Sequence, residues 1–206
     1  ILRHVQRDFR YLDYTYVVGR VRSMETMLKD AIADNEDKAV LLMAALKSIG
    51  VEAHPVLVSG NNGGTLNPKF FSLSQFTHAV VAVPRDGGTY LWLDPTVTYA
   101  PFGFMPWKDS GAGALLIKGK EGELTALPTK GEITASRYSV LLLPRADGKA
   151  DLEVQAEFLG EDAIDMREKL APAADTARLE FMQKWVARRR PGAALRSHVF
   201  EDLEDT

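Results

Sequence analysis

The 206-residue chain contains no cysteine. That absence excludes disulfides, thiolate–zinc sites and any cysteine nucleophile. No apolar run approaches the ~18–20 residues a membrane span needs. The longest, residues 39–46, is short and amphipathic. Neither sign of charge is in large surplus: 25 Lys and Arg stand against 28 Asp and Glu, a net charge of -3. Scattered charge of that kind argues against nucleic acid as the main partner. The cluster Arg188-Arg189-Arg190 is too short to change this and suits the solvated end of a helix. Histidine is scarce. His4, His54, His78 and His198 are widely spaced, with no HExxH or comparable ligand spacing, so neither a metal nor a cofactor is expected. A signal peptide's charged and apolar regions are missing, and the chain opens on Ile1. The expectation is a piece of a longer protein, joined to a further N-terminal domain.

What is present is ordinary for a globular chain: 46% hydrophobic and 26% charged residues, which exclude disorder and coiled coil. The length suits one generous domain or two small ones. A composition shift near residues 128–133 divides it into an expected domain over 1–128 and a small β-rich domain with helices over 133–206. In the first part, residues 4–9 read as the end of a short helix, and Ser23 caps a second. The clearest helix spans 36–49, with Ala39, Leu42, Met43, Leu46 and Ile49 at helical spacing. Asp34 or Asn35 caps its start, and Gly50 stands where a left-handed residue ends it. Strands follow at 51–58, 77–83, 89–93 and 114–117. Arg85-Asp86-Gly87-Gly88 reads as a hairpin turn. In the second part, 137–143 and 149–158 read as a half-buried hairpin. Helices over 161–170 and 174–190 follow, then a strand at 196–200.

Three positions combine into a site. Asn35 stands at the start of the buried helix, His78 on the first hairpin strand and Asp94 after the second. The midpoint of 78 and 94 is position 86, inside the turn, so an antiparallel hairpin places His78 near Asp94. Asp94 then accepts from one imidazole nitrogen and fixes the tautomer. The runs Asp34-Asn35-Glu36-Asp37-Lys38-Ala39, Phe76-Thr77-His78-Ala79 and Trp92-Leu93-Asp94-Pro95-Thr96 resemble bacterial transglutaminase-like domains, members of the papain-like Cys-His-Asp superfamily. The resemblance covers residues 1–128 and includes the run-in 1–22 and the helix-to-strand passage at 47–58. It implies an α+β fold, with N-terminal helices packed on an antiparallel sheet, and triad-equivalent positions at Asn35, His78 and Asp94. The family has a nucleophilic Cys where this chain has Asn35, and Gly where it has Ala33. A helix N-terminus and a His–Asp pair activate a thiol. An amide is not deprotonated to a nucleophile at neutral pH.

The expected function is therefore that of a non-catalytic binding or scaffolding module, taking a peptide, protein or glycan. Two alternatives stand beside it: a residual amide hydrolase or transglutaminase-type enzyme using His78 and Asp94, and a purely structural spacer. The resemblance implies a periplasmic or extracellular location in a bacterial protein. Tyr11, Tyr14, Tyr16, Phe70, Phe71, Phe102, Phe104 and Trp107 either line a groove or cover the core. Residues 61–64 read as a flap or a plain linker, and His54 as structural.

Overall fold

The structure, a computed structural model, describes residues 1–12, 21–60, 65–70, 72–129 and 134–203. Tyr14, Tyr16, Phe71 and the 61–64 tract lie outside the described residues, as does the Trp107 side chain. The chain divides into two compact units, Ile1–Glu132 and Ile133–Thr206. Both mix helix and antiparallel strand, an α+β composition.

In the first unit three helices precede the sheet: α1 (Leu2–Asp8), α2 (Met24–Asp30) and α3 (Asn35–Ser48). Between them β1 (Arg10–Tyr11) pairs in parallel with β2 (Ile32–Ala33). Ser23 caps α2, its side chain accepting from the Thr26 backbone N–H. Asp34 caps α3 by accepting from the Asp37 N–H at 2.8 Å. Asn35 is the first helical residue, so the cap belongs to its neighbour and the amide is left for another task. Gly50, at φ 77°, follows the C-terminus as a left-handed residue. Burial pushes the Asp34 carboxyl above the usual range and nearby Asp37 adds to this, while the accepted N–H opposes both. Replacing Asp34 by Ala is expected to lower the unfolding free energy by about 1 kcal/mol in a urea titration. Asp34→Asn keeps the acceptor without the repulsion and should stay within a few tenths of the native value.

Five strands form an antiparallel sheet in the order β5-β4-β3-β6-β7. They are β3 (His54–Val58), β4 (His78–Arg85), β5 (Thr89–Leu93), β6 (Gly113–Lys118) and β7 (Glu121–Ala126). Alternation along β4 splits the core. Ala79 and Val81 pack with Leu41 and Leu42 of α3, along with Val5, Phe9, Met27 and Leu93. Val80 and Ala82 pack on the other face with Val56, Val58, Ala112, Ala114, Leu116 and Leu127. His78 continues this second face at the start of the strand, opposite Val58 of β3. Each Val or Leu fully buried this way contributes about 1.5–3 kcal/mol.

The apolar stripe expected on α3 is buried only at its N-terminal half. Ile49 is 62% exposed, whereas Asp37 and Lys38 are fully buried. Strand β7 was not anticipated: Glu121, Glu123 and Thr125 make it polar, and it is an edge strand that needs little apolar surface. Gly119, at φ 64°, is the first central residue of its two-residue turn, as a II′ hairpin requires.

The second unit holds the hairpin β8 (Ala135–Pro144) and β9 (Ala150–Leu159), then α4 (Glu161–Leu170) and α5 (Asp175–Arg189). Arg178 closes the end of α4 by donating to the Leu170 and Ala171 carbonyls. From α5, the rings of Trp185 and Tyr138 lie 6.1 Å apart, and the Arg189 guanidinium sits 4.1 Å over Trp185. The half-buried hairpin is not observed. Val140, Leu141, Leu142 and Leu143 are all exposed. Four consecutive apolar residues fall on both faces of a ribbon, and no alternation can hide them. The strand expected at 196–200 is also absent, because β8 and β9 pair only with each other and no described strand offers that run a ladder. No helix among the described residues is long and apolar enough to cross a membrane.

Candidate functional site

The three residues singled out from the sequence lie at one end of the sheet. His78 opens β4, and Asp94 follows the last residue of β5. Their side chains meet: Nε2 of His78 is 2.9 Å from Oδ2 of Asp94, and both residues are buried. The hairpin register differs from the expected one. Arg85 pairs with Thr89 and Val81 with Leu93, so the turn is centred on Gly87, not position 86. Continued straight, that register would carry residue 96 to His78. The chain instead leaves the strand after Leu93, where Pro95 cannot extend a ladder. Thr96 folds back, donating its backbone N–H (2.8 Å) and its hydroxyl (2.7 Å) to Oδ1 of Asp94. One carboxylate oxygen is thus tied to Thr96 and the other is aimed at the imidazole.

Burial disfavours the charged forms of both partners, yet their mutual attraction prevails. Burial and the nearby Lys108 charge both disfavour the His78 imidazolium, yet it is held above its ordinary range because the Asp94 charge, the hydrogen bond to Asp94 and the Asp109 charge outweigh them. The Asp94 carboxyl is held below its range because the His78 charge and the hydrogen bonds from His78 and Thr96 outweigh burial. These shifts describe a single interaction seen from its two ends.

Asn35 comes to the same end of the sheet. Its Nδ2 donates to the Thr77 carbonyl at 3.3 Å, one residue before His78. No hydrogen bond joins the Asn35 and His78 side chains among the described residues. The amide therefore pins the N-terminus of α3 to the start of β4. Since Nε2 of His78 is taken by Asp94, Nδ1 is the ring atom left for a further partner.

Three residues escaped the sequence reading. Lys38 is fully buried, and its Nζ donates to the Gln6 carbonyl at 2.9 Å. Burial lowers its pKa to about 8, with the Asp94 charge opposing the fall. Gln6, also buried, donates from Nε2 to the Asp94 carbonyl at 3.3 Å and the Ala100 carbonyl at 3.5 Å. Together they hold the backbone of the 94–100 loop from the helical side. Asp109, 1% exposed, ends the short helical turn Trp107–Asp109. Its only sequence signal is a carboxylate among aromatic and apolar loop residues, which is too common to stand out. Of the aromatic set read as groove lining or core cover, Phe104 is core, whereas Phe70 and Phe102 are exposed.

Chemically, the arrangement offers an oriented imidazole–carboxylate pair beside a helix N-terminus whose first residue carries an amide. It holds a base and no side-chain nucleophile at position 35. No family model, no curated protein and no solved structure matches the chain.

Proposed function

We propose that residues 1–128 are a transglutaminase-like domain of the papain-like type, retained without catalysis as a module that binds a peptide, protein or glycan. The observation that carries this reading is the buried His78–Asp94 pair at 2.9 Å with Asn35 tied to the adjacent Thr77 carbonyl. A His–Asp pair next to the first turn of a buried helix is the frame such enzymes use to activate a thiol. Here the position that would carry the thiol carries an amide, and the chain has no cysteine to replace it. Export from a bacterial cytoplasm belongs to the same proposal.

The test is to restore the missing group. Asn35→Cys should react with iodoacetamide at pH 7 at least tenfold faster than a free thiol, whose pKa is ~8.5, because the α3 N-terminus and His78 stabilise the thiolate. Adding His78→Gln should return the rate to that of a free thiol. Reaction of Asn35→Cys at the free-thiol rate would remove the frame and the reading with it. Turnover of a transglutaminase or amide substrate by the native chain would overturn the non-catalytic part.

A further inference from the structure

His78 has two carboxylates beside it. One ligand atom from each of His78, Asp94 and Asp109 lies within 4.8 Å of the other two, and all three residues are buried. They arrive from three separate segments: the start of β4, the bend after β5 and the turn Trp107–Asp109. Exposed acidic groups gather often and mean little, but two buried carboxylates around one imidazole are different. Buried charges persist where something compensates them.

We propose that His78, Asp94 and Asp109 form a binding site for a divalent cation of the Zn2+ or Mn2+ class. One imidazole nitrogen and two carboxylate oxygens are a mixed donor set that such ions accept. Ligand atoms around a metal at roughly 2.0–2.2 Å stand roughly 3–4.2 Å apart. The 2.9 Å separation of His78 Nε2 and Asp94 Oδ2 already fits, and the outer limit of 4.8 Å closes with a small side-chain rotation. Asp94 is also oriented as a ligand should be: Thr96 holds Oδ1 with two hydrogen bonds and leaves Oδ2 pointing into the cluster. Asp109 is pinned through its backbone, its N–H donating to the Pro106 carbonyl and its carbonyl accepting from Ala112. Gly60 lets the chain after β3 close over it. A Cβ there would stand 2.8 Å from Thr77 Oγ1 and 3.5 Å from Asp109 Oδ1. Three protein ligands leave coordination positions for water or a ligand atom. The site stands on these side chains alone and does not depend on the family reading above.

The experiment uses the whole chain stripped with EDTA and then titrated with Zn2+ by calorimetry, with the histidine ring nitrogens followed by NMR. The expected result is one equivalent bound at micromolar affinity or tighter, with the His78 ring signals shifted. Asp109→Asn, folded by circular dichroism, should bind at least tenfold more weakly. Among the described residues, the pairs His4–Asp8 and His54–Glu52 also bring a histidine beside a carboxylate and serve as controls: His4→Asn with His54→Asn should leave the affinity unchanged. No stoichiometric binding, ring shifts confined to His4, His54 or His198, or an unaltered affinity in Asp109→Asn would each overturn the proposal. The native-chain NMR decides the matter even if Asp109→Asn fails to fold.

Discussion

Replacing Asp94 by alanine is expected to lower the unfolding free energy by about 3–5 kcal/mol, the range for removing one partner of a buried pair. Asp94→Asn should lose only about 1–2 kcal/mol. The difference follows from what each change leaves behind. Alanine strands the His78 Nε2, the Thr96 N–H and the Thr96 hydroxyl in a buried region. Both changes remove the negative charge that favours the buried Lys38 ammonium, so that loss is common to them. Asparagine keeps an oxygen for Thr96, and its Nδ2 donates to Nε2 of a neutral imidazole protonated on Nδ1. Urea unfolding at pH 6 of metal-free protein measures both. Equal losses for the two variants, or a loss below about 1 kcal/mol for alanine, would mean that the pair does not hold the 94–96 bend.

Much of this end of the molecule is legible in the sequence, and the limits of that legibility are physical. Helix α3, the caps at Ser23 and Asp34 and the glycine-rich turn at 85–88 follow from local rules that act within a few residues. The meeting of His78 and Asp94 was legible for a partly different reason. The expected register centred on position 86, and the observed one centres on Gly87. The contact survives because Pro95 breaks the strand and Thr96 folds Asp94 back toward the imidazole. A local chain break thus corrected a displaced register. Asp109 has no such local signature. It reaches the cluster through an irregular loop, and no periodicity predicts where such a loop closes. Lys38 was hidden by its own type, since a lysine beside Asp37 reads as a solvated face. Its burial is a tertiary outcome, set by the Gln6 carbonyl that receives it. In β8 the reverse holds: the run reads as one strand of a half-buried hairpin, although its apolar residues are exposed. Hydrophobicity states what a side chain prefers, not what the fold supplies.

The two buried cations should give the metal-free protein a stability profile with opposed limbs above neutral pH. His78 has a folded pKa raised above its unfolded value of 6.5, so its contribution is complete below pH 6.5 and is lost as pH rises through the folded pKa. Asp94, depressed below 3.8, contributes fully above pH 3.8 and loses its contribution as pH falls through the folded value. The pair therefore stabilises most between pH 3.8 and 6.5. Lys38 acts in the other direction. Its folded pKa of about 8 lies below the unfolded 10.5, so between these values the unfolded chain holds a proton that the folded chain has released. Stability then rises with pH across that window, by about 3 kcal/mol for a group this deeply buried. Urea midpoints of the EDTA-treated chain from pH 5 to 10.5 should fall above pH 6.5 and recover above pH 8. Each limb has its own eraser. His78→Gln should flatten the fall and leave the recovery. Lys38→Met should abolish the recovery and leave the fall, because it removes the buried charge while keeping the stem that fills the space. If Lys38→Met keeps the rise above pH 8, the ammonium is reached by water in solution and the Lys38–Gln6 contact does not seal the helical side of the site.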